Sequence, residues 1–149
     1  MREEEIVGKQ LASALGALAL GAGAVLTSPG AVHAASYPTC NAQKVVSASG
    51  SHFTYQPYYT GTGSRNCEMS QGAQSDAVYA LQIAIDTCHQ DISRDGIYGP
   101  ETRRAVRAVQ DAGGVGVDGV YGPETRKVMK WPLYKGGSGS VQGCSKLGV

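Results

Sequence analysis

Two nine-residue stretches concentrate the side chains best suited to binding: Asp95-Gly96-Ile97-Tyr98-Gly99-Pro100-Glu101-Thr102-Arg103 and Asp118-Gly119-Val120-Tyr121-Gly122-Pro123-Glu124-Thr125-Arg126. Eight of the nine positions are identical, at an offset of 23 residues. Each copy offers three chemistries. The carboxylates of Asp95 and Asp118 can accept from amides or hydroxyls, and the rings of Tyr98 and Tyr121 can stack on a sugar face or a peptide. The guanidinium groups of Arg103 and Arg126 can hold a carboxylate through two parallel bonds. Each residue also has a structural use. An Asp before Gly accepts from amides of its own turn, a Tyr packs its ring while its hydroxyl finds a partner, and an Arg on a helix is often solvated. Arg104, Arg107, Lys127 and Lys130 add basic charge nearby.

Catalysis and metal binding find little support. His52 and His89 stand alone and no Cys-x-x-Cys pair exists, so a zinc site is not expected. His89 follows Cys88 directly, and adjacent residues on a helix do not face one another. The Gly137-Ser138-Gly139 loop lacks the strand-to-helix setting of a nucleophile elbow. Asp91-x-Ser93-x-Asp95-Gly96 resembles the start of a calcium loop, but its twelfth position is Thr102, and the second copy begins at Gly114. The expectation is a protein without catalytic residues, metal or cofactor.

Three helices must position the two copies. Ser75 is a natural N-cap for a helix over about 76–88, and Val78, Leu81, Ile85 and Cys88 share one face. Pro100 opens the second helix, with Thr102, Ala105, Val106 and Val109 inward and Gly113-Gly114 at its end. Pro123 opens the third, with Thr125, Val128 and Met129 inward and Pro132 stopping it just after Trp131. On either side the pattern changes. Val45-Val46 and Phe53-Thr54-Tyr55 flank a Ser-Ala-Ser-Gly turn, and Pro132-Leu133-Tyr134 and Val141–Cys144 flank a glycine–serine turn; both read as β-hairpins.

The central residues resemble a known family, the small three-helix peptidoglycan-binding domains attached to many bacterial wall hydrolases. Gly72, Val78, Leu81-Gln82, both Asp-Gly-x-Tyr-Gly-Pro-Glu-Thr copies, Ala105-Val106 and Gln110 match its motif in order, over about residues 67–131. The flanks are similar to small secreted actinobacterial proteins bearing this module alone. The resemblance implies a mainly α, three-helix module with short flanking hairpins. It also implies non-catalytic binding of peptidoglycan, through its glycan strand or stem peptide, with a wall hydrolase as a further partner. The competing expectation is a secreted interaction or inhibitor protein that uses the fold as a scaffold. Phe53, Tyr55, Tyr58 and Tyr59 would be its contact residues.

Composition and the N-terminus set the compartment. Leu11–Leu26 is an uncharged apolar run, followed by Pro29-Gly30 and by small residues around a cleavage point after Ala34. This is the pattern of a secretory signal peptide, residues 1–34, and implies a secreted protein with no stable membrane anchoring after cleavage; the family resemblance adds that it is wall-associated. Glu3, Glu4 and Glu5 oppose the usual cationic start, which is explained if translation begins near Val7. The full chain of 149 residues carries a formal charge of +1, which excludes the strong basic field of a nucleic-acid binder. The remaining zones are an N-terminal hairpin extension (35–66), the central domain (67–131) and a C-terminal hairpin extension (132–149). Cys40, Cys67, Cys88 and Cys144 all lie beyond the cleavage point, so two disulfides are expected. Cys40–Cys144 with Cys67–Cys88 would tie both flanks together, and Cys67–Cys144 is the rival.

Overall fold

The computed structural model describes residues 36–136 and 139–147; the signal-peptide reading of residues 1–34 lies outside them. Four strands and three helices follow in the order β1 (Ala42–Ser47), β2 (His52–Tyr58), α1 (Asp76–Cys88), α2 (Pro100–Gly113), α3 (Pro123–Val128), β3 (Trp131–Lys135) and β4 (Val141–Ser145). The two hairpins are where the sequence places them, but they are not separate appendages. His52 pairs with Lys135 and Phe53 with Tyr134, which joins β2 to β3 in one antiparallel sheet of order β1-β2-β3-β4. The expectation of a mainly α molecule is therefore overturned. The three helices are short and share the fold with a four-stranded sheet, an α+β arrangement. Periodicity is local and reveals each hairpin, whereas the β2–β3 pairing joins segments some eighty residues apart and leaves no periodic trace.

The helices follow their local signals. Ser75 accepts from the Val78 amide at 3.4 Å to cap α1, whose Val78, Leu81 and Ile85 are fully buried. Gly114 ends α2 in the left-handed conformation, at φ 70°. The third helix is shorter than expected: it stops at Val128, and Trp131 and Pro132 already belong to β3. The Trp131 indole donates to the Arg126 carbonyl at 3.2 Å and its ring meets Tyr121 edge-on, so the helix end is anchored by the strand that follows it. The core gathers Leu81, Ile85, Tyr98, Val106, Tyr121, Met129 and Trp131, together with Met69 and Cys67 from the segment before α1.

The cysteines pair as Cys40–Cys67 and Cys88–Cys144. Both arrangements expected from the sequence are thereby corrected. After β2 the chain returns alongside its own start: the Cys40 amide donates to the Glu68 carbonyl at 3.0 Å and the Glu68 amide to Pro38 at 2.9 Å. That contact seats Cys67 against Cys40 and leaves Cys144, on β4, to meet the end of α1. Bridging 27 and 56 residues respectively, the two cross-links stabilise the fold by about 3.5 and about 4 kcal/mol on chain-entropy grounds. Among the described residues, no helix is long and apolar enough to cross a membrane.

Candidate functional site

The two repeated stretches form two turns built on one plan, and a buried glutamine organises each. In the first, the Gln82 side-chain amide donates to Asp95 Oδ1 (2.8 Å), the Ile97 carbonyl (3.0 Å) and Thr102 Oγ1 (3.0 Å), while its Oε1 accepts from the Gly96 amide (2.8 Å). In the second, Gln110 donates to Asp118 Oδ1 (2.8 Å), the Val120 carbonyl (2.9 Å) and Thr125 Oγ1 (3.0 Å). Its Oε1 accepts from the amides of Asp118 (3.1 Å) and Gly119 (2.9 Å). Gln82 and Gln110 are 1% and 2% exposed, so their polar atoms require this full set of partners. Gly96 and Gly119 sit at φ 73° and 74°, a conformation that disfavours a Cβ and explains the Asp-Gly pair in each copy.

This geometry sorts the candidate residues. Asp95 and Asp118 are exposed, but Oδ1 of each is committed to its turn, accepting also from Ile97 N (2.9 Å) and Val120 N (2.8 Å). The Gln82 amide, and then the Ile97 amide, hold the Asp95 carboxyl below the usual carboxylate range. Among the described residues, Oδ2 of each Asp makes no hydrogen bond and remains available to a ligand. Tyr98 and Tyr121 are fully buried, so of the two uses open to these rings, packing and stacking on a ligand, the structure displays the packing one. The Tyr98 hydroxyl donates to the Gly119 carbonyl at 2.9 Å, linking the first copy to the second turn. The Tyr121 hydroxyl has no partner among the described residues. Burial pushes both phenols well above their ordinary pKa.

The two equivalent arginines part company. Arg103 is exposed, whereas Arg126 is 9% exposed and donates to Asn66 Oδ1 at 3.3 Å, so Arg126 is withdrawn from an open surface. The exposed basic face is instead Arg103, Arg104 and Arg107 on α2, none of which forms an ion pair among the described residues. Arg103 and Arg107 lie against Gly119. Beside the same turn, a cleft of about 230 Å³ is lined by Tyr37, Glu68, Asp118, Val120 and Glu124 among others. A second cleft, of about 410 Å³, borders the first turn and is lined by Gln74, Ser75, Asp76, Tyr79, Asp95, Gly96 and Ile97.

Tyr79 was not singled out from the sequence, and Arg107 entered only as one of the surrounding basic residues. Their signal was present: each stands three residues before the organising glutamine, off the buried stripe of its helix. No group of His, Cys, Asp or Glu among the described residues could hold a metal ion.

The arrangement defines a small disulfide-linked α+β module that displays two glutamine-anchored turns. Residues 74–129, which contain both turns and all three helices up to Met129, match the family model described as "Putative peptidoglycan binding domain". Among solved structures, a peptidoglycan-binding protein from Clostridioides difficile, in complex with glutamine hydroxamate, is similar at 24% identity and a TM-score of 0.43. The match covers 56% of this chain and 53% of that one, so the chain spans about half that protein's length. No curated protein matches.

Proposed function

We propose that this protein is secreted and binds bacterial cell-wall peptidoglycan without catalysing a reaction on it. The observation that carries this reading is the peptidoglycan-binding family match, which falls on both glutamine-anchored turns. The exposed trio Arg103, Arg104 and Arg107 supplies the contact chemistry, since stem peptides end in carboxylates that guanidinium groups hold bidentately. Two disulfides suit a chain that works outside the cytoplasm. A single module of this kind would bind weakly and reversibly, alone or beside a wall hydrolase.

Co-sedimentation with purified sacculi tests the proposal. Retention above that of the heat-denatured, reduced protein is expected, and equal retention would sink it. Labelled wall fragments incubated with the protein should remain uncleaved; turnover would refute the non-catalytic part.

A second reading has one observation in its favour. Phe53, Tyr55 and Tyr134 form a ring cluster with each pair of centroids 5.7 Å apart, and Tyr55 is 38% exposed. Clusters of this kind suit protein contacts. If Tyr55→Ala abolished binding of a protein partner and left sacculus retention intact, the sheet would have a separate interaction role.

A further inference from the structure

The two turns are copies in their backbone and their glutamine anchors, and they differ in what flanks them. Counting back from Gln82 and Gln110, Tyr79 is the counterpart of Arg107 and Ser75 that of Arg103. The glycine neighbourhoods agree: Gly96 lies near the Ser75 carbonyl and Tyr79 Cβ, and Gly119 near the Arg103 and Arg107 side chains. The turn is thus built equally well with an arginine at this place, so its own architecture does not require Tyr79. Yet Tyr79 presents an aromatic ring at 40% exposure, beside Ile97 at 43%. An exposed aromatic ring that the scaffold does not demand invites a functional explanation.

The chemistry of the surrounding cleft is specific. Its floor and walls combine the Tyr79 ring and the Ile97 side chain with Gln74, Asp76 and Asp95. Asp76 makes no ion pair among the described residues, and Asp95 keeps Oδ2 outside the Gln82 network. A flat ring that packs on C–H groups, next to carboxylate oxygens that accept from hydroxyls, complements a neutral pyranose. The same carboxylates repel an anionic peptide terminus. Among the described residues, no cation lines the cleft to offset them. At the equivalent places the second copy carries Arg103 and Arg107, cations that the first cleft lacks.

We infer that the cleft formed by Tyr79, Ile97, Asp76 and Asp95 is a saccharide subsite that takes an N-acetylated hexosamine of the glycan strand. The inference rests on the wall-binding reading for the identity of the polymer and divides the labour between the two turns. The first holds sugar, and the second, through its arginines, holds the carboxylates of the stem peptide.

The test uses a tetramer of N-acetylglucosamine, which carries no stem peptide, titrated into the intact, oxidised protein and followed by NMR. The Tyr79 ring and the Ile97 methyl resonances should shift saturably. Tyr79→Ala should weaken that binding roughly tenfold, and Tyr79→Phe should retain it. Tyr79→Arg guards against a folding artefact, because the second copy already carries arginine there; it should fold, keep its amide spectrum elsewhere and lose the sugar. Sacculus retention of the same proteins separates the two readings. If sacculi are retained but the tetramer shifts nothing, or shifts residues away from Tyr79, the saccharide subsite is overturned and wall binding stands. Tetramer binding at Tyr79 without sacculus retention would uphold the subsite and overturn the wall reading. Failure of both would overturn both.

Discussion

Replacing Gln110 by Leu should expose how much of this fold depends on one side chain. Leucine approximates the volume of glutamine and removes all five of its hydrogen bonds. The losses are unequal. Asp118 is exposed and its carboxylate still accepts from Val120 N, so water can replace much of what it loses. Gly119 N belongs to a buried residue and Thr125, at 2% exposure, is left with a 3.3 Å contact to the Val120 carbonyl. Two groups of this kind, each costing about 1–2 kcal/mol when left unsatisfied, give a destabilisation of about 3 kcal/mol. For a domain of this size that corresponds to a fall of about 12 °C in Tm. Thermal unfolding of the oxidised protein, followed by far-UV circular dichroism, measures it. The exposed Gln90, replaced by Leu, serves as the control and should shift Tm by no more than about 2 °C. A Gln110→Leu protein within about 3 °C of the wild type would refute the claim that the glutamine holds the turn.

Three further outcomes are expected. Stability should fall as the pH drops below about 6.5 in part through His89, whose ring accepts from the Lys130 amide at 3.0 Å and whose pKa is held below 6.5 by partial desolvation. The neutral ring is the form the fold prefers, so its contribution is complete above the unfolded-state pKa and is lost as the pH falls through the lower folded-state pKa. His89→Gln should flatten that part of a urea-midpoint profile, and an unchanged slope would contradict the assignment. Peptide mapping of the unreduced protein should recover Cys40–Cys67 and Cys88–Cys144, and Cys88→Ala with Cys144→Ala should lower unfolding free energy by up to about 4 kcal/mol in urea titrations. Arg103→Gln with Arg107→Gln should reduce sacculus binding about tenfold at low salt, with the difference narrowing as salt screens the exposed charges. Equal loss in a Lys127→Gln protein, whose cation pairs with Glu124, would point to non-specific charge instead.

What the sequence disclosed was what local chemistry encodes. Ser75, Pro100, Gly114 and Pro123 mark helix ends because capping and φ constraints act within a few residues: α1 begins just after Ser75, α2 and α3 begin at Pro100 and Pro123, and Gly114 caps the end of α2. The merged sheet was not legible, because the pairing of Phe53 with Tyr134 depends on chain closure across the whole domain. The disulfide pairing was missed for the same reason: Cys67 meets Cys40 only after β2 has turned the chain back on itself. At the candidate site, the duplicated motif advertised identity and hid difference. Tyr98, Tyr121 and Arg126 look available in the sequence, yet the packing of Trp131 and the segment from Met69 to Gln74 encloses this region of the second copy and both rings. The residues that distinguish the two turns, Tyr79 and Arg107, lie outside the motif on the preceding helices.

The most direct test of wall binding is an NMR titration of the oxidised protein with soluble muropeptides that carry an intact stem peptide. Amides of Gly96 and Ile97 in the first turn and of Gly119 and Val120 in the second should shift together and saturate, while those of β1 and β4 stay in place. Absence of shifts at saturating muropeptide, or shifts confined to the strands of the sheet, would contradict the account.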